Sequence, residues 1–510
     1  MDRPEAAGIL VFPAMASVLL CCTQKTMSAA ARKRRGAFYT PEDAAASLVR
    51  WAVHQNSDRM LDPSCGDGRF LRLHPNSTGV ESDRPSAAEA QARAPHATIH
   101  ADDFFRWASE TRQRFECAAG NPPFIRYQTF CGDTRERALK YCAARGVSIS
   151  ALTSSWAPFL VAAASLLKPG GRMAFVVPAE IGHASYAKPL VEFLLRSFSS
   201  IDIVAVKEKI FPDLSEDVWL LYTEGYGGQC NSIHLSLLER FSFRERPPRR
   251  GTMVSAEEWR SWNGRLRPFL VSADVRDRYQ SVAQDQKARR LGDLARVGIG
   301  YVTGANEFFH LRPSAARTLR IPSQFLRAAV RNGRALGGVP VTESKVQEWI
   351  EEDQPVLLLK LEPSSALPSA VRRYLDSEAG LDARQTYKCR NRDPWYAVPD
   401  VHVPDAFLTY MSGSGPSLVA NPAKCVGTNS VHTVRLKNGI GVSDLVRLWN
   451  SPLRELSCEF EGHPLGGGML KIEPREASRI VVGHPSGWTP SDDELVRRGL
   501  STLRSWRHCG

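Results

Sequence analysis

Met60-Leu61-Asp62-Pro63-Ser64-Cys65-Gly66-Asp67-Gly68 opens on two apolar residues and closes on a glycine-rich turn. Such a run reads as a strand that ends and hands the chain to a helix, with glycines that let backbone come close to a ligand. The three-glycine spacing of a dinucleotide site is absent, so the ligand need not be a dinucleotide. Around this run, from Gly36 to about Leu237, short apolar stretches predict strands. They are Met60–Leu61, Thr78–Glu81, Ala97–His100, Cys117–Ala119, Arg172–Val177, Ile201–Val206 and Val218–Thr223. Between them, Glu42–Ala52, Ala87–Ala94, Ser154–Leu167 and Lys188–Phe198 read as helices. Strands alternating with helices imply an α/β fold: a mostly parallel sheet with helices on both faces.

The chain has 510 residues, too many for one ordinary domain. Its hydrophobic share of 43% and charged share of 24% exclude wholesale disorder. The net charge of +12 favours a polyanionic partner. Eleven cysteines, irregularly spaced and without a C-x-x-C pair, fit reduced thiols in a cytoplasm better than a disulfide framework or a zinc site. The apolar stretch Gly8–Cys22 is too short to span a bilayer and lacks a basic lead. Residues 1–26 are therefore expected to stand outside the fold, with Met27 as an alternative start, and no later stretch predicts a membrane span. The first domain is expected over 27–237. Arg- and Pro-rich Phe241–Gly251 marks a boundary, and 238–290 reads as a linker or helical connection. From Leu291 the βα rhythm is lost, so 291–510 reads as a second, α+β domain, with helices at Val442–Leu448 and Asp493–Arg507.

Chemistry is expected at Asn121-Pro122-Pro123-Phe124, directly after the strand Cys117–Ala119, because ligands of open parallel sheets bind beyond the carboxyl ends of strands. An aromatic amine is a poor nucleophile, its lone pair being delocalised into the ring. Two acceptors, the Asn121 side-chain oxygen and the Pro122 carbonyl, favour a pyramidal nitrogen whose lone pair faces an incoming methyl group. The prolines, with fixed φ and no N–H, hold those acceptors in place. Phe124 offers a face for a target base. The same residues also suit a stiff turn ending a strand. Glu81 follows Asp62 by nineteen residues, where an acid can bind ribose hydroxyls. Asp103 and Phe104 are placed to read an amino group and stack on a ring; each acid singly also suits a solvated strand end.

Taken in order, Gly36-Ala37-Phe38-Tyr39-Thr40-Pro41, Asp62-Pro63-Ser64-Cys65-Gly66-Asp67-Gly68, Glu81, Asp103-Phe104 and Asn121-Pro122-Pro123-Phe124 resemble the gamma-class DNA adenine-N6 methyltransferases of bacterial type II restriction–modification systems. The resemblance implies a Rossmann-like class I methyltransferase domain with a seven-stranded sheet, followed by a target-recognition domain. It implies S-adenosyl-L-methionine as cofactor, held by Tyr39, Thr40, Pro41, Asp62, Pro63, Gly66, Gly68, Glu81, Asp103 and Phe104. It implies that Asn121 and Pro122, braced by Pro123, activate the amine of an adenine flipped out of double-stranded DNA. Many members have tyrosine where this chain has Phe124, which keeps the stacking face. Phe211, in Ile210-Phe211-Pro212, matches the family's second stacking aromatic, and also suits an ordinary core position. No metal is called for, since a sulfonium already activates the methyl group.

In the second half, Gly300–Phe309 and Tyr387–Tyr396 resemble target-recognition segments; the latter mixes cations, amides and aromatics suited to phosphate and base contacts. A solvated basic loop with a packed Trp–Tyr pair reads equally from the same residues. Gly466-Gly467-Gly468 suits either a phosphate contact or a turn. Other enzymes with an N-P-P tetrad methylate RNA bases or protein glutamine, and a DNA-binding protein without catalysis is a third reading. The N-terminal F-Y-T-P segment and the large second half favour DNA. Nothing in the chain matches a fused nuclease, so any cognate endonuclease acts separately. A monomer is expected, because two unlike domains can close on DNA without a partner.

Overall fold

The computed structural model describes residues 40–508 apart from 151, 213, 215, 364–365, 438 and 484–486. The expectations for residues 1–26, for Met27 as a start and for Tyr39 at the cofactor lie outside the described residues.

Nine strands form the central sheet: β1 (Met60–Asp62), β2 (Ser77–Val80), β3 (Thr98–His100), β4 (Phe115–Gly120), β5 (Leu167–Pro178), β6 (Phe198–Val206), β7 (Val218–Tyr226), β8 (Ser232–Leu238) and β9 (Thr252–Ser255). Their order is β3-β2-β1-β4-β5-β7-β6-β8-β9. β7 runs antiparallel to both β5 and β6, and β9 antiparallel to β8; the remaining pairs are parallel. All seven predicted strands are present, and β8 and β9 extend the sheet at one edge. β6 and β7 are hydrogen-bonded neighbours joined by residues 207–217, a connection shorter than the dozen or more residues that a parallel crossover takes, so β7 returns antiparallel.

Successive strand residues face opposite cores. Met173, Phe175 and Val177 of β5 point into the larger core, with the helices Phe104–Glu110, Gly132–Ala143, Trp156–Ser165 and Lys188–Ser197. Ala174 and Val176 point to the other face, where the helices Glu42–Ala52 and Arg84–Arg93 lie. The helix Trp156–Ser165 is apolar on every side and almost wholly buried, as a helix sealed between a sheet and other helices must be.

Residues 238–290, expected to connect two domains, carry β9 and the helices Ala256–Ser261 and Ala273–Ala283. Trp259, Leu266, Phe269, Val275 and Tyr279 share the larger core of the sheet. So do Leu453, Leu456, Phe460, Val496 and Leu503 from the helices Pro452–Glu461 and Pro490–Trp506, so these late helices return to the core of the central sheet. A buried ion triad fastens this junction. Glu459 lies between Arg267 (2.6 Å) and Arg507 (2.8 Å), all three side chains nearly inaccessible. Arg265 donates to the carbonyls of Phe460 (2.8 Å), Glu461 (2.6 Å) and Gly462 (3.1 Å), neutralising the negative end of the helix Pro452–Glu461.

Beyond Leu291 the chain is α+β, with two four-stranded sheets. One orders Ala295–Ile299, Val431–Leu436, Ala406–Thr409 and Leu418–Ala420; the other orders His310–Leu311, Leu357–Leu359, Leu326–Val330 and Val426–Gly427. Gly466-Gly467-Gly468 turns a hairpin between His463–Leu465 and Met469–Lys471, and the Gly468 carbonyl accepts from Arg507. The glycine triplet is therefore a turn docked on the ion triad. No helix of the described residues is long and apolar enough to cross a membrane, and every described cysteine is a free thiol.

Candidate active site

The glycine-rich loop leaves β1 at Asp62. The Asp62 carboxyl is buried; Oδ1 accepts from Ser64 N–H (3.1 Å), and Oδ2 has no hydrogen-bond partner among the described residues. Burial first, then the neighbouring Glu81 and Asp67 carboxylates, push its pKa up to about 8. An acid held neutral by a dry site, with one bare oxygen, suits the charged end of a cationic ligand that restores its ionised form. Gly66 and Gly68 take φ of +51° and +79°, left-handed conformations natural to glycine, and a Cβ at Gly68 would stand 2.8 Å from the Ala90 backbone. Gly66 faces open space and donates its N–H to Glu81 (3.0 Å). Glu81 also accepts from Asp83 N–H (2.8 Å), which fixes its carboxylate at the end of β2.

Asp67 plays a different part. Although burial works against ionisation, bonds from Arg69 and Arg93 hold its carboxyl below the usual range. Arg69 also donates to the Thr40 carbonyl, so one ion cluster ties the loop to the buried Thr40 and to the helix that Pro41 begins. Pro63 is buried beside Asp62.

Asp103 caps the helix Phe104–Glu110 through Arg106 N–H (2.9 Å) and accepts from the Thr134 hydroxyl (2.6 Å). Its remaining lone pairs stand at the end of β3. Phe104 departs from expectation. It opens that helix on the inward side, is 3% exposed, and stacks on Phe159 at 5.3 Å with further contacts to Phe105 and Trp107. The ring expected on a cofactor is a core residue behind the acidic strand ends.

The tetrad follows β4. Gly120 ends that strand where a Cβ would lie 2.7 Å from Asp62 Oδ1, so only glycine brings Asn121 this close to Asp62. The Asn121 carbonyl accepts from Ser64 Oγ (3.2 Å), a direct bond between the Asp62 loop and the tetrad. Pro122 is buried, while Asn121, Pro123 and Phe124 are half-buried. Phe124 touches the cores on both faces of the sheet, so its ring stands at the sheet's end. Phe211, between β6 and β7, belongs to one of those two cores and is 6% exposed. The structure thus brings Phe124 and Phe211 to one apolar cluster, with Phe211 packed as a wall. Arg126 pairs with Glu216 (2.6 Å) across the same end of the sheet.

Sequence reasoning missed Ser64, Gly120, Ser155, Tyr186 and Glu180, which surround the tetrad. Burial raises the Glu180 carboxyl, although Tyr186 hydrogen-bonds it. The one available signal was Thr153-Ser154-Ser155, three hydroxyls directly before a wholly apolar helix.

In the second half, Gly300–Phe309 and Tyr387–Tyr396 lie against each other. Arg392 donates to the carbonyls of Thr303 (2.7 Å) and Val302. A Cβ on Gly304 would stand 2.6 Å from Lys388 Cβ. Trp395 packs on Phe308 and Phe309. Tyr387 (67% exposed), Lys388, Arg390 and Asn391 face outward, beside an open cavity of about 460 Å³ lined by Arg384, Gln385, Arg390, Arg392, Asp393, Pro394 and Trp395.

Known proteins resemble this arrangement. Residues 72–211 match the family model described as Eco57I restriction-modification methylase, and residues 263–505 match that of the Type II methyltransferase M.Eco57I, C-terminal domain. The Type II methyltransferase M.XamI of Xanthomonas campestris pv. amaranthicola is 24% identical over 475 residues, 88% of this chain and 85% of that protein. A tRNA1(Val) (adenine(37)-N6)-methyltransferase of Salmonella arizonae is 27% identical over 150 residues, 27% of this chain and 58% of that protein. The Type IIL restriction-modification enzyme MmeI, solved in complex with DNA, superposes with a TM-score of 0.56 at 13% identity, over 90% of this chain and 69% of that one, which shows a shared fold. S-Adenosylmethionine is the methyl donor of this class, and the bare Asp62 oxygen and glycine cradle fit it. The chain belongs to the Eco57I-type restriction–modification methylases, as a DNA methyltransferase of the type II kind with its own C-terminal domain.

Proposed function

We propose that the chain methylates the exocyclic N6 of adenine in double-stranded DNA, at a base flipped out of the helix. The observation that carries the reading is Asn121-Pro122-Pro123-Phe124, bonded through Ser64 to the Asp62 loop. S-Adenosylmethionine supplies an activated methyl group on a sulfonium. The chain's own residues do the rest. Asp62, Gly66, Gly68 and Glu81 bind the cofactor, with Thr40, Pro41, Pro63 and Asp103 shaping its surroundings. The Asn121 amide oxygen and the Pro122 carbonyl accept hydrogen bonds from the amine and so direct its lone pair. Phe124 stacks on the base and Phe211 walls the pocket, which offsets part of the few kcal/mol that unstacking costs.

Adenine is favoured over cytosine by the order of motifs. It is favoured also by the name of the tRNA methyltransferase relative, which matches part of the catalytic half alone. Duplex DNA is favoured over RNA or a protein glutamine by the second half, whose outward Tyr387, Lys388, Arg390 and Asn391 mix charge, amide and aromatic groups. The enzyme works as a monomer in the cytoplasm, beside any endonuclease of its system. The test offers labelled S-adenosylmethionine together with duplex DNA, a transcript of the same sequence, and an acceptor protein. Label in duplex DNA alone supports the reading; label in RNA or protein and none in DNA overturns it.

A further inference from the structure

Two consecutive prolines strip two N–H groups from the tetrad, so no regular ladder can hold it. Side chains from elsewhere hold it instead. Ser155, fully buried at the start of the helix Trp156–Ser165, supplies most of the grip. Its hydroxyl donates to the Pro123 carbonyl and accepts from Ile125 N–H (3.0 Å), and its own N–H donates to the Ile125 carbonyl (3.0 Å). Phe124 is thereby clasped on both flanks. On the other side of the tetrad, Ser64 holds the Asn121 carbonyl.

The start of the helix is held in turn. Trp156 Nε1 donates to the Tyr186 hydroxyl (2.9 Å), which Ser154 also bonds, and Tyr186 donates to Glu180. Glu180 sits on the turn Ala179–Gly182, directly after β5. Hydrogen bonds therefore link the end of β5 through Glu180 and Tyr186 to Trp156, and the peptide bond to the adjoining Ser155 carries the connection on to the tetrad at the end of β4.

We propose that Ser155 is a positioning residue for methyl transfer, fixing where the Pro122 carbonyl and the Asn121 side chain stand, with the Tyr186–Glu180 pair fixing Ser155. This rests on the reading of the tetrad as the amine-binding group. An error of about 1 Å in such placement costs roughly a hundredfold in rate while leaving binding largely intact.

The experiment measures single-turnover methyl transfer, the Kd of cofactor and of DNA, and the Tm, for wild type, Ser155→Ala, Ser155→Thr and Tyr186→Phe. Ser155→Ala is expected to slow transfer by about 10- to 100-fold, with both Kd values within about threefold of wild type. Ser155→Thr keeps the hydroxyl and is expected to recover part of the rate. Tyr186→Phe is expected to give a smaller loss of the same kind. Transfer unchanged in Ser155→Ala and Tyr186→Phe would overturn the proposal, and so would losses that only track a falling Tm or weaker cofactor binding. If Ser155→Ala does not fold, Tyr186→Phe decides alone by the same criteria. A wild type that methylates no DNA amine marks failure of the tetrad reading itself, and the same rates are then taken on whichever acceptor is methylated.

Discussion

Cofactor binding should release a proton, and Asp62 should be its source. In the free protein the Asp62 carboxyl is buried, has one bare oxygen, and is raised from an ordinary 3.8 to about 8. At pH 7 about nine-tenths of molecules therefore carry it protonated. A cationic ligand end beside Oδ2 favours the carboxylate, so binding at pH 7 should release about 0.9 proton, falling to about half a proton at pH 8. Calorimetric titration with S-adenosylmethionine, in phosphate and in Tris at pH 7, reads this number from the dependence of apparent enthalpy on buffer ionisation. Asp62→Asn should bind more weakly and lose the buffer dependence. The stability sign follows from the same shift. The contribution of protonated Asp62 is fully present below pH 3.8 and is lost as pH rises through about 8, so the free protein should lose Tm over that window and the cofactor should restore part of it. A wild type with no buffer dependence at pH 7, or an Asp62→Asn variant with an undiminished one, would refute the reasoning.

Other consequences follow from single contacts. Gly120→Ala drives a methyl group against Asp62 Oδ1, and cofactor affinity should fall about tenfold or more with DNA affinity unchanged, as equilibrium titrations of each ligand would show. Glu459→Gln leaves Arg267 and Arg507 buried with half their partner, and should cost about 3–5 kcal/mol. A thermal melt shifted by less than about a degree would contradict that. If Lys388 and Arg390 meet DNA phosphates, Lys388→Ala and Arg390→Ala should each lower the salt slope of binding by about one. Slopes equal to wild type would remove them from the interface.

The parts of this molecule that were legible in sequence are those whose cause is local. The alternation of apolar runs with helical stretches marked β1 to β7, because strands of a sheet covered by helices on both faces read as apolar runs. The glycine loop and the prolines of the tetrad were legible because each enforces one backbone geometry. Long-range causes were not legible. Arg- and Pro-rich Phe241–Gly251 looks like a boundary from its composition, yet the chain on either side of it pairs as β8 and β9. The return of the helices Pro452–Glu461 and Pro490–Trp506 to the first core depends on a triad whose members lie 192 and 48 residues apart. Phe104 illustrates a third limit. A phenylalanine beside an acid serves a ligand or a core with the same residue type, and only the packing of Phe159 against it decides. Ser155 was hidden for the opposite reason: it falls inside the stretch Ser154–Leu167 that reads as a helix, whereas the helix starts at Trp156 and the Ser155 hydroxyl turns away from it to clasp Pro123 and Ile125.

The central claim is the identity of the methylated atom. Unmethylated duplex DNA is incubated with S-adenosylmethionine and either wild type or Asn121→Ala, then digested to nucleosides and resolved by mass spectrometry. The account predicts N6-methyladenine with wild type, and its loss with Asn121→Ala while DNA and cofactor binding persist. N4-methylcytosine as the product, or N6-methyladenine at an undiminished rate without the Asn121 amide, would contradict it.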